Sequence, residues 1–166
     1  IQMYPTAFCE GDGSSVTFNN LILAQEDSLF DLGGRIIFSG KESRGEVLTR
    51  VVAKDRAKVW SRSCIVGDCE DCRGHVECMG LLLSPDCSVH AIPELVAKKR
   101  GAELTHEAAI GKIAREQVEY LMSRGLTEKE ATSLIVKGFV EVGLTRLPDE
   151  FLASFRKLLD VSLRQL

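Results

Sequence analysis

No stretch of this chain stays apolar long enough to cross a bilayer as a helix. The run Met79 to Leu83 falls far short of the roughly 20 residues a crossing needs, which argues against a membrane-spanning role. Clustered basic residues are missing as well. With 21 Lys and Arg against 24 Asp and Glu, the net charge is -3 and no nucleic-acid surface is expected. The first residues have neither a basic start nor a long apolar stretch, so no signal peptide is expected and the chain is read as cytoplasmic. There is no Gly-x-x-x-x-Gly-Lys loop, no Gly-x-Ser-x-Gly elbow and no His-Glu-x-x-His. Nothing assembles a nucleophile, a base and oxyanion donors, so an enzyme with its own turnover is not expected.

What is present is a chain of 166 residues, 45% apolar, long enough to bury one substantial core. Up to about residue 101 it reads as short strands rich in Val, Ile and Leu: VTF, LIL, RIIFS, EVLTRVVA, AKVWSRSCIV, HVECMGLLLS and SVHAIPELVA. The interruptions Lys54 to Ala57, Gly67 to Cys69, Ser84 to Cys87 and Lys99 to Ala102 each end in a small residue. That is what a stacked β-coil requires at its corners, because neighbouring coils lie about 4.8 Å apart. Periodicity alone leaves a β-sandwich equally open. Glu26 to Gly34 reads as a loop or an irregular strand boundary, and Trp60 as a core aromatic.

Past Thr105 the pattern turns helical. Ile113, Gln117, Val118 and Leu121 share one face of a first helix that Gly125 would terminate. Thr127 and Glu130 form a capping-box signature for a second helix, running to about Val142. Pro148, followed by Asp149 and Glu150, suits the first turn of a third. Phe151, Leu152, Phe155, Leu158, Leu159 and Leu163 would form its apolar stripe.

Six cysteines in a chain of this length without an export signal read as reduced thiols. The densest group is Cys64, Cys69, Cys72, His75 and Cys78, of which Cys69, Cys72, His75 and Cys78 could clip a zinc ion. The competing reading makes these cysteines small buried apolar groups. Cys87 lies three residues before His90, and His106 and Glu107 open the helical region. A thiolate beside an imidazole is a better nucleophile and metal ligand than an isolated thiol. For both histidines the alternative is a hydrogen-bonded structural role.

The stretch from Thr105 to Glu141 closely resembles the C-terminal signature of the SufB and SufD iron-sulfur assembly proteins. It does so through His106-Glu107-Ala108, Ile113, Tyr120-Leu121-Met122-Ser123-Arg124-Gly125 and Gly138-Phe139. Met79 to Leu95 looks like that family's last β coils, so the resemblance covers about half of the chain. It implies a mainly β fold with added α: a short right-handed parallel β-helix over 1–105, then a C-terminal helical cap of about three helices over 106–166. It further implies a scaffold that pairs through the ends of β-helices, as a homodimer or as a heterodimer with a paralogue. A transient iron-sulfur cluster would form near Cys87, His106 and Glu107, with zinc as the alternative metal. A SufC-like ABC-type ATPase would dock on residues Ala114 to Leu166. Thr105 stands where the SufB branch has a glutamate, and no residue here matches the upstream cysteine to which the family's sulfur transfer is attributed. A metal-free, SufD-like structural or regulatory partner subunit is the second reading.

Overall fold

In a computed structural model, residues 1–144 are described, together with Glu150, Leu152, Arg156 and Lys157, which are helical. The third helix expected from Pro148 otherwise lies outside the described residues. Among these, the elements are β1 (Gln2–Met3), β2 (Thr6–Cys9), β3 (Ser15–Ala24), β4 (Leu29–Phe38), β5 (Arg44–Ala53), β6 (Lys58–Gly67), β7 (Arg73–Leu82), β8 (Ser88–Ala97), β9 (Glu103–Lys112), α1 (Arg115–Ser123) and α2 (Glu128–Leu144).

Consecutive strands do not pair. The even-numbered strands from β4 to β8 form one sheet with β1 and β2, while β3, β5, β7 and β9 form another. Ser15 pairs in parallel with Arg44 and Arg44 with Arg73, a step of 29 residues, whereas Lys58 pairs with Ser88, a step of 30. Each step is one full turn of a parallel β-solenoid, made of two strands and two corners. This settles the choice against the sandwich.

The corners explain why the chain can turn so often. Glu26, Glu42, Asp55 and Asp71 adopt φ of 55 to 58°, and Gly13 and Gly101 take φ of 68° and 75°. Left-handed backbone is uphill for residues with a Cβ, and here the stack compensates. The Glu26 amide donates to the Asp55 carboxylate at 3.0 Å, and the Asp55 amide donates to Ser84 Oγ at 2.8 Å, coil to coil. At Gly101 a Cβ would overlap the Asp71 carboxylate, so that corner requires glycine. The residue entering each strand from β3 to β9 is small: Ser14, Ser28, Ser43, Ala57, Cys72, Cys87 and Ala102. For the corner after Gly67 that residue is Cys72, not Cys69 as the sequence reading had it.

Alternation inside the strands builds the core. In β5 every second residue is buried, and Phe38, Ile36, Ile65, Val47 and Val76 fill one half of the interior. Ile22, Leu32, Val51, Val59 and Ala53 fill the other. Glu26 to Gly34 is mostly not a loop. A turn ends by Ser28 and β4 begins at Leu29, because Leu29 to Gly34 continue the ladder with β6. Gly33 is tolerated there since a Cβ would overlap the Arg62 carbonyl of the next coil. Trp60 is not a core residue; it lies on the outer face, stacked on His90 at 5.8 Å.

The chain divides into two compact units, Ile1–Gly111 and Lys112–Leu166. The strand part is therefore longer than 1–105, and His106 and Glu107 belong to β9 instead of a strand-to-helix junction. In the helical unit, Gly125 takes φ of 98° and its amide donates to the Met122 carbonyl, ending α1. The capping box forms as expected: the Glu130 amide donates to Thr127 Oγ1 at 3.3 Å, and the Thr127 amide to the Glu130 carboxylate at 2.8 Å. The Thr127 amide, and then the Thr127 hydroxyl, which also donates to the carboxylate at 2.8 Å, hold the Glu130 carboxyl below its ordinary range. Ala131, Val136 and Val140 are fully buried.

Candidate functional site

β9 carries the residues expected to matter most. Alternation puts Leu104, His106, Ala108 and Ile110 on one side and Thr105 and Glu107 on the other. Leu104 packs on the interior cluster around Phe38, which identifies its row as the inward one. His106 is nevertheless exposed, as are Ala108 and Ile110, because β9 is the last strand of its sheet. His106 and Glu107 thus face opposite ways and cannot grip one ion together from this strand.

Cys87 stands at the corner before β8, buried among Leu32, Val51, Ala53 and Val59. Its sulfur lies 3.1 Å from the Ser84 carbonyl and 3.3 Å from the Ala53 carbonyl, so the thiol donates to backbone oxygens. Among the described residues, Cys87 and His106 do not join any group of three ligands within one chain. His90, stacked on Trp60, points outward from the same strand region.

The proposed zinc clip is taken apart by parity. Cys72 is buried at a corner, Cys78 faces inward from β7, and His75 faces outward, since odd and even positions of β7 lie on opposite faces. Burial, and then the hydrogen bond with Cys72, push the Cys69 thiol up to about 11. Burial raises Cys78 too. Thiols held protonated are poor ligands, and all six cysteines are free and buried. Cys64, which alternation turns to the outer face, is covered there beside Tyr4, Arg35 and Glu94, and burial raises its pKa as well.

One grouping of ligand type does form among the described residues, and it draws on both sequence candidates. His75, Glu77 and Glu107 place their ligand atoms within 4.8 Å of one another on the outer face of β7 and β9. Thr105 Oγ1 lies 2.8 Å from His75 Nδ1, and Arg50 holds Glu77 Oε1 at 3.1 Å. Reading by sequence missed Glu77, although its i, i+2 relation to His75 places both on one face of a strand. Glu107 arrives from the next coil, 30 residues beyond Glu77, matching the Lys58 to Ser88 step.

With this geometry in hand, similarity to known proteins can be placed on it. Residues 1–139 match the family model described as SUF system FeS cluster assembly, SufBD core domain. The chain belongs to the SufBD family. It is 46% identical over 164 residues to the iron-sulfur cluster assembly SufBD family protein of Methanothermobacter thermautotrophicus, covering 99% of this chain and 40% of that protein. Against the Archaeoglobus fulgidus protein of the same description the identity is 44% over 166 residues, all of this chain and 44% of the relative. A Staphylococcus saprophyticus relative, also so described, is 29% identical over 158 residues, 94% of this chain and 34% of its own length. The chain therefore spans less than half the length of these curated relatives. The family is described as one of iron-sulfur cluster assembly, and among the described residues no helix is long and apolar enough to cross a membrane.

Proposed function

We propose that this SufBD chain is a non-enzymatic scaffold that joins another family chain through the open end of its solenoid and holds a nascent iron-sulfur cluster there. The observation that carries this reading is the inward row of β9, exposed at His106, Ala108 and Ile110. A row patterned for an interior but left uncovered favours a covering partner, and β9 offers an outer strand edge without proline for pairing. His106 would then face the seam between chains, and Cys87 would contribute from the corner before β8 once its thiol gives up the backbone carbonyls. A self-complementary pair would contain two such sites. On the helical unit, Tyr120, Met122, Leu134 and Val142 are exposed apolar residues, which suits docking of an ABC-type ATPase.

Anaerobic reconstitution with iron and sulfide tests the cluster role. Visible absorbance should develop in the unaltered chain and fall sharply in Cys87→Ala and in His106→Ala. The burial of Cys87 favours a second reading, a metal-free SufD-like partner subunit. Unchanged iron content after replacement of every cysteine, with dimer and ATPase binding retained, would select it.

A further inference from the structure

His75, Glu77 and Glu107 lie on the face of the solenoid away from the interior and from the cysteines. We propose that they form a binding site for a divalent first-row transition-metal ion, with ferrous iron as the relevant cargo. The identity of that cargo rests on the scaffold reading above; the site itself rests on geometry.

Four features support it. First, the donor set is one imidazole nitrogen and two carboxylate oxygens, a mixture suited to borderline ions such as iron, zinc or manganese and leaving further positions for water. All three side chains have ligand atoms within 4.8 Å of one another, close enough for one ion to touch each.

Second, the imidazole is oriented. Thr105 Oγ1 lies 3.5 Å from the Gly74 carbonyl and 2.8 Å from His75 Nδ1. A hydroxyl that donates to the carbonyl accepts from Nδ1–H, which leaves the Nε2 lone pair for a ligand. A histidine fixed through its far nitrogen is the usual arrangement around a bound metal.

Third, Glu77 is anchored without being used up. Arg50 binds Oε1, both side chains being largely covered, at 15% and 20% exposure. The second carboxylate oxygen stays available.

Fourth, Glu77 and Glu107 bring two carboxylates together across neighbouring strands, where like charges oppose pairing. Arg50 answers one of them. A divalent cation would answer both. His75 and Thr105 also border a groove of about 330 Å³ that runs past Thr17, Glu46, Arg73 and Glu103.

The test is anaerobic equilibrium dialysis of the 166-residue chain against ferrous iron alone, followed by X-ray absorption at the iron edge. About one iron per chain is expected, bound by nitrogen and oxygen donors only. His75→Ala and Glu107→Gln should each weaken binding at least about tenfold, and Thr105→Val about tenfold through loss of the hydroxyl that orients the His75 ring. Glu107 is exposed and His75 half-buried on the outer face, and circular dichroism should show the fold retained. Iron bound equally by these variants, sulfur in the iron shell, or no iron bound would each overturn the site. Adding sulfide to the same samples separates this from the scaffold reading. Cluster formation with iron binding indifferent to His75 removes only this site. Iron held at His75 with no cluster removes only the scaffold.

Discussion

The middle of the solenoid and its last strand follow the same alternating pattern and meet opposite fates. In β5 and β6, inward residues such as Val47, Val51, Val59 and Ile65 are fully buried, since a coil lies on either side. In β9 the equivalent row has Leu104 half-buried and His106, Ala108 and Ile110 exposed. Apolar area covered from both sides supports the fold, at about 25 cal/mol per Å² removed from water. The same area at the end supports little until something covers it. The exposed part of the β9 row thus adds little to the stability of a lone chain.

Substitutions can break or sharpen that contrast. Phe38→Ala empties the centre of the interior and should lower the unfolding free energy by about 3–5 kcal/mol in urea titrations. Ile110→Ala, on the same side of its own strand, should cost about 1 kcal/mol or less in the isolated chain. Equal losses would mean that the last strand is as well covered as the middle.

A smaller effect concerns the covered corners. The Cys69 thiol keeps its proton up to about 11 in the folded chain, whereas an unfolded thiol ionises near 8.5. The folded state therefore holds a proton that the unfolded state has lost. This contribution is complete below the ordinary thiol range and fades as pH rises from about 8.5 toward 11. Stability measured across that window should decline, and Cys69→Ser should flatten the decline. An unchanged slope would place the alkaline loss elsewhere.

How legible was this in the chain? Strand texture and small corner residues were visible, and the helix signals at Gly125, Thr127 and Glu130 read correctly because capping is local chemistry. The solenoid itself was not decided by periodicity, which suits a sandwich equally; the resemblance around His106 decided it. Sites suffered more. Cys72, His75 and Cys78 are close in sequence, but a strand sends odd and even positions to opposite faces, so nearness misled. His106 and Glu107 were separated by the same rule once β9 proved to run on to Lys112. Glu77 and Glu107 meet only through a coil step of 30 residues, a distance that becomes readable once the register is known.

The account turns on whether the uncovered row of β9 is a surface for another chain. Sedimentation equilibrium over a range of micromolar concentrations, on this chain and on Ile110→Asp, addresses that directly. Self-association in the first, abolished in the second with the fold intact, is the predicted result. A monomer under all conditions, or association untouched by the aspartate, would contradict it.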